Sequence, residues 1–217
     1  ILGAVYAGMG QHEEAVIHYN KVIGLKPDFA EAYSNLGASL NELDRNEEAV
    51  EAFNKAIELK PDFHEAHNNL GNTLNALAKP EEAVSSFNTA IGLKPDYVEA
   101  FNNRGTALKA SGKYKEAIES YHKAIELKPN HVKAYNNLGT TLVELGDSQA
   151  AATALNKAIK LKPDYAQAYS NLGNALNDLG KHEEAIINFN TAIELKPDSP
   201  EVYNNLARTF REIGDLD

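Results

Sequence analysis

The tripeptide Leu-Lys-Pro returns with its proline at Pro27, Pro61, Pro95, Pro129, Pro163 and Pro197, each step 34 residues with no insertion or deletion. Two further markers keep that step. Alanine stands at Ala15, Ala49, Ala83, Ala117, Ala151 and Ala185, and glycine at Gly3, Gly37, Gly71, Gly105, Gly139 and Gly173, giving way to Ala207 in the last copy. A fixed period of this size means stacked copies of one small unit, none of which buries its apolar face alone.

Within a unit the apolar spacing is helical. Ala32, Leu36, Leu40 and Leu43 form one stripe on a 3.6-residue helix, and Ala49, Phe53, Ala56 and Ile57 form a second. Asp44-Arg45-Asn46 breaks the pattern between them; other copies carry Gly10, Gly112, Gly146 or Gly180 there, suited to a left-handed helix end. Each unit therefore reads as two short antiparallel helices, A and B, with a proline-marked exit. The pairs Asp28/Glu31, Asp62/Glu65, Asp96/Glu99 and Asp198/Glu201 have capping-box spacing at the start of helix A. Glutamates at 47–48, 81–82 and 183–184 open helix B, and Lys60, Lys94, Lys128, Lys162 and Lys196 are expected in its last turn, both as the helix dipole favours.

These residues resemble the tetratricopeptide repeat family over essentially the whole chain. The motif runs Ala32-Tyr33, Leu36-Gly37, Ala49, Phe53, Ala56, Pro61 and recurs in units 30–63, 64–97, 98–131, 132–165 and 166–199, with partial units at 1–29 and 200–217. The resemblance implies an all-α fold: a single right-handed superhelical solenoid whose A helices line a concave groove. Three positions depart from the pattern. Leu155 replaces the usual aromatic, His67 replaces Tyr or Phe, and Arg104 stands where neighbouring units have Leu, so it must snorkel past the helix pair or point at the groove.

Little in the chain suggests catalysis. His64-Glu65-Ala66-His67 places its histidines three apart, not the four that a zinc-protease helix needs, and no third ligand is near. The glycines recur singly, where helices A and B pack closely, and make no phosphate-cradling loop. Tyr33, Tyr135, Tyr169 and Tyr203 fill one repeat position and read as packing residues. No catalytic residue, metal site or cofactor is expected. The formal net charge of −10 argues against nucleic acid, which demands clustered Lys and Arg. No apolar run is long enough to insert in a membrane.

One feature exceeds structural need. Asn35, Asn69, Asn103, Asn137, Asn171 and Asn205 hold one position of helix A through six successive units. That position lies off the buried stripe, and Asn is a mediocre helix former, costing up to about 0.7 kcal/mol against Ala. Two roles fit: a hydrogen bond to the adjacent helix, or a row of amides that grips an extended peptide main chain through both donor and acceptor. The row is similar to the asparagine ladder in the repeat domain of the O-linked N-acetylglucosamine transferases, whose groove asparagines hold the substrate polypeptide. The expected peptide-binding set adds Asn68, Asn72, Asn102 and Asn136. The family's other well-known mode clamps a C-terminal carboxylate, and needs Lys and Arg at positions held here by Ser or Asn.

The expected function is thus a scaffold for a protein or peptide partner. The alternative is the substrate-recruiting arm of a larger enzyme, a glycosyltransferase or sulfotransferase. Glu31, Glu65, Glu99, Glu144, Asp178 and Glu201 fall near the inner stripe against Lys109, Lys133 and Arg208, favouring neutral or basic peptides. Exchanging Asn69, Asn103 and Asn137 together for Ala is expected to weaken binding with little change in melting temperature. At the two ends Leu2, Val5, Tyr6 and Met9, and Tyr203, Leu206, Phe210 and Ile213, lack a covering helix. Fraying or end-to-end association is expected there, which sedimentation over a wide concentration range reads.

Overall fold

The computed structural model describes residues 2–214, and among them are thirteen α-helices and no strand. The helices fall into two compact units, residues 1–111 and 112–217. The first holds α1 (Leu2–Gly8), α2 (His12–Leu25), α3 (Ala30–Asn41), α4 (Asn46–Leu59), α5 (His64–Ala76), α6 (Pro80–Leu93) and α7 (Val98–Ala110). The second holds α8 (Tyr114–Leu127), α9 (Val132–Leu145), α10 (Ser148–Leu161), α11 (Ala166–Asp178), α12 (His182–Leu195) and α13 (Pro200–Glu212). Within each unit every helix packs on the next, and alternate helices α3/α5/α7 and α9/α11/α13 also touch. Connections this short leave only antiparallel neighbours. The odd-numbered helices are the A helices and the even-numbered ones the B helices.

The recurrent glycine marks a close approach within the pairs α3/α4, α5/α6, α9/α10 and α11/α12. A Cβ built on Gly37 would lie 2.9 Å from the Phe53 ring, on Gly71 2.7 Å from Phe87, and on Gly173 2.5 Å from Phe189. Leu155 takes the place of the ring beneath Gly139, where an added Cβ would stand 2.5 Å from it. Phe53, Phe87, Leu155 and Phe189 are fully or almost fully buried, and so are the alanines beside them at Ala49, Ala83, Ala151 and Ala185. Small residues on one helix thus make room for one large apolar side chain from its partner, the close packing that protein interiors require.

The helix ends differ from expectation in two ways. The capping boxes do not form. Phe29, Phe63, Tyr97 and Ser199 are the N-caps of α3, α5, α7 and α13, with no side-chain capping bond; Asp28, Asp62, Asp96 and Asp198 sit one residue too early. Nor do Lys60, Lys94, Lys128, Lys162 and Lys196 occupy the last helical turn. They are the C-caps, with φ between −137° and −146° and ψ between 85° and 91°. Each precedes a proline, whose ring drives the residue before it into extended backbone and ends the helix. Lys60, Lys94 and Lys162 then fold over the aromatic ring three residues on, with Nζ 4.6 Å from the Phe63 centroid, 5.1 Å from Tyr97 and 5.5 Å from Tyr165. A cation over a ring face is attracted by the ring quadrupole. The glutamates that open α4, α6 and α12 are where the dipole favours them.

Gly10, Gly112, Gly146 and Gly180 have φ from 70° to 87°, as the turn between helices A and B demands. Asp44 and Ala78 take the same role at φ 56° without being glycine. Alanine pays a steric penalty there that glycine avoids. Ala78→Gly is expected to stabilise the chain by about 0.5–1 kcal/mol, read as a rise in denaturation midpoint. An unchanged or lower midpoint would mean that the turn is not strained.

Candidate functional site

Each A helix turns its leucine and alanine stripe into the stack and leaves a polar stripe outward. Asn35 and Asn72 are exposed; Asn69, Asn103, Asn137 and Asn205 are half-buried; Asn171 is buried at 8% exposure. Asn68, Asn102 and Asn136 do not lie on the accessible face as expected. Their exposures are 5, 7 and 5%; Asn68 and Asn136 bond across the seam to the following A helix of their unit, and Asn102 bonds to Asn103 of its own helix.

In that seam the asparagines hold one another. Asn103 Nδ2 of α7 donates to Asn68 Oδ1 of α5 at 3.2 Å, while Asn103 Oδ1 accepts from its neighbour Asn102 Nδ2 at 3.2 Å. Asn68 Nδ2 in turn donates to Asn69 Oδ1 at 3.4 Å. The second unit repeats the link: Asn171 Nδ2 of α11 donates to Asn136 Oδ1 of α9 at 2.9 Å, and Asn171 Oδ1 accepts from Gln167 Nε2 at 3.2 Å. A row asparagine from one repeat therefore satisfies a buried asparagine of the repeat before it, as buried polar groups require. This revises the expected outcome of exchanging Asn69, Asn103 and Asn137. Loss of Asn103 strands a buried acceptor, so the melting temperature must fall as well.

A second polar contact ties successive A helices together, and sequence reasoning missed it. Asn41 Nδ2 of α3 donates to Thr73 Oγ1 of α5 at 2.8 Å, and Asn177 Nδ2 of α11 donates to Thr209 Oγ1 of α13 at 2.5 Å. Each threonine hydroxyl also donates to the carbonyl of a row asparagine, Thr73 to Asn69 at 2.9 Å and Thr209 to Asn205 at 3.0 Å. No paired pattern announced it: Asn stands with Thr at 41/73 and 177/209, but the equivalent pairs are Asn75 with Ala107, Lys109 with Thr141 and Val143 with Ala175.

The charged residues on this face are partly engaged. Lys60 Nζ donates to Glu31 Oε1 at 3.0 Å, and that hydrogen bond holds the Glu31 carboxyl below its ordinary value. Asp178 Oδ2 accepts from Ser148 Oγ at 3.1 Å, and Glu65 pairs with His64 Nδ1. His67 Nε2 lies 3.0 Å from the Pro61 carbonyl, so both histidines of the pseudo-zinc motif have other partners. Arg104 snorkels: its guanidinium lies 5.3 Å from the Phe101 ring, and Nη1 donates to Asn88 Oδ1 at 3.0 Å. Of the end residues, Leu2, Val5, Met9, Tyr203 and Ile213 are exposed, at 40% or more, while Tyr6, Leu206 and Phe210 are half-buried.

Stacked helix pairs with close-packed glycines define a helical-repeat protein, and family comparison makes the class specific. Models described as tetratricopeptide repeat or TPR repeat match residues 3–44, 30–63, 52–85, 105–146, 136–200 and 188–217. The chain belongs to the tetratricopeptide repeat family. No curated protein matches it. Among solved structures it is similar to YrrB, described as a TPR protein with an unusual peptide-binding site, at 24% identity and a TM-score of 0.67, covering 86% of this chain and 96% of that one. It is similar to MamA at 26% identity and a TM-score of 0.68, covering 77% and 92%. The Cut9–Hcn1 hetero-tetramer of the APC/C gives 19% identity and a TM-score of 0.82 over 96% of this chain, which spans 41% of that one.

Proposed function

We propose that the chain is a protein-interaction scaffold that holds an extended peptide along the outward face of its A helices. The observation that carries this reading is the state of the asparagine row. Asn35 of the row, and Asn72 one turn along from the row position of its own helix, are exposed and make no side-chain hydrogen bond among the described residues, while Asn103 is fixed by its seam partners with donor and acceptor capacity to spare. A carboxamide offers two donors and two acceptor lone pairs, so one bonded on a single side still pairs with a peptide unit. Amides already held in place lose little freedom on binding. Asn68, Asn102 and Asn136 act as supports beneath the row and not as contacts. The peptide-binding site described for YrrB, a protein of the same fold, is in keeping with this use of the family's architecture.

The test is binding of peptides selected from a random-sequence library by the wild-type chain. Asn35→Ala/Asn72→Ala is expected to weaken a selected peptide by about 3- to 30-fold, the loss of one or two net hydrogen bonds, with an unchanged circular dichroism spectrum. Full retention of affinity by this variant would remove Asn35 and Asn72 from the binding site and contradict the reading.

A further inference from the structure

Five of the six B helices, α2, α4, α6, α8 and α12, carry one or two glutamates in the first turn and no basic residue in the last; α10 reverses both. Its sequence Ser148–Leu161 holds no acid at all and two lysines, Lys157 and Lys160. The change replaces a repeated ion pair. In α4, Lys55 Nζ binds Glu58 at 2.9 Å, and in α8, Lys123 Nζ binds Glu126 at 2.9 Å. The same two positions of α10 are Lys157 and Lys160, a like-charged pair one turn apart that repels. Neither has an ion-pair partner among the described residues. A chain with a net charge of −10 thus concentrates unopposed positive charge on one helix.

These lysines rim an apolar hollow in the second unit. It measures about 800 Å³ and lies between α8, α9 and α10, with Tyr135, Leu138, Leu142 and Ala154 among its walls. The equivalent hollow of the first unit, over Tyr33, Leu36 and Leu40, measures about 250 Å³ and is ringed by Arg45, Glu48, Glu51 and Lys55. In the second unit Ala150 and Thr153 stand where Glu48 and Glu51 do, which removes two carboxylates from the rim, while Asp147 stands where Arg45 does. The one carboxylate on the lining, Asp147, is taken up at the start of α10, where Oδ1 accepts the Ala150 N–H at 3.1 Å.

We infer that this hollow is a second docking site, on the B-helix side, for an acidic segment of a partner protein. A large apolar side chain of that segment fills the space over Tyr135, Leu138 and Leu142. Its adjacent carboxylates lie across Lys157 and Lys160, relieving their repulsion and supplying the charge that Glu58 and Glu126 supply elsewhere. A neutral apolar ligand would leave the lysines unpaired, and a basic one would be repelled. The site shares no residue with the asparagine row and does not depend on the function proposed for it.

The test uses a fluorescein-labelled peptide with Leu-Phe set between pairs of glutamates, followed by anisotropy on the full chain. Controls replace the glutamates by Gln, or Leu-Phe by Ala-Ala. Ala150→Glu/Lys160→Glu restores the residues carried at these positions in α4, so folding is expected to be kept or improved. The acidic apolar peptide is expected to bind, and each control peptide and the restored variant to lose at least about tenfold in affinity. The Asn35→Ala/Asn72→Ala variant is expected to bind it as the wild type does. Failure of the peptide to bind, or equal binding by the restored variant, would overturn the inference. So would loss of binding in the asparagine variant, which would put the peptide on the other face. Faster sedimentation of the wild type but not of the restored variant would seat a second copy of the chain in the hollow, and equally overturn it.

Discussion

Phe87→Ala is expected to destabilise the chain by about 3–5 kcal/mol, the cost of removing a fully buried aromatic ring and leaving a cavity. Phe87 is 1% exposed, and its ring edge lies directly beneath Gly71. Neither helix can relax into the space easily, because α5 and α6 are held by the alanines Ala66, Ala83 and Ala90, all buried. The reciprocal change, Gly71→Ala, forces a methyl to 2.7 Å from that ring. Overpacking of this kind costs roughly 1–3 kcal/mol, against a gain of about 1 kcal/mol in helix propensity. The combination Gly71→Ala/Phe87→Leu is expected to cost less than the sum of its parts, since residues in contact do not act additively. Denaturant titration of the four proteins checks this. Additive effects, or a neutral Gly71→Ala, would show that the ring has room to move.

Asn103→Ala is expected to cost about 1–3 kcal/mol, the penalty for leaving a buried acceptor unpaired. The acceptor is Asn68 Oδ1, on a side chain only 5% exposed. Asn171→Ala is expected to behave alike, through Asn136. Asn35→Ala, at an exposed position with no bond to lose, is expected to stay within about 0.5 kcal/mol of wild type. One residue type at one repeat position thus gives two different outcomes. Asn68→Ala/Asn103→Ala is expected to recover part of the loss, because removing both partners leaves nothing unsatisfied. Equal melting temperatures for Asn35→Ala and Asn103→Ala would contradict the role assigned to the seam.

The contrast between these two asparagines shows how far the sequence could be read. The 34-residue step, the glycine facing Phe53 and its equivalents, and the glycine turns were legible because each depends on one residue's shape at one position. The helix ends were misread because a local rule lost to the chain around it. Asp62 has the right spacing to Glu65 for a capping box, but Pro61 sets the backbone so that Phe63 becomes the cap. Lys60 was placed by its charge in the last turn of α4, whereas the proline extends its backbone and the Phe63 ring attracts its ammonium. Asn68 belongs to the expected peptide-binding set, but its side chain is buried. Only the packing of α5 against α7 reveals that consecutive helical positions, about 100° apart, fall on opposite sides of the seam.

The asparagine row binds main chain if it binds as proposed, so the most direct measurement removes main-chain hydrogen bonding from the ligand and leaves its side chains alone. A library-selected peptide is compared with copies carrying a single backbone N-methyl group at successive positions. Methylation deletes one N–H donor per copy, and the expected result is a periodic loss of affinity, about fivefold or more wherever the N–H meets a row amide, with little effect of most side-chain exchanges to alanine. Uniform tolerance of N-methylation, with affinity governed instead by one or two side chains, would contradict it.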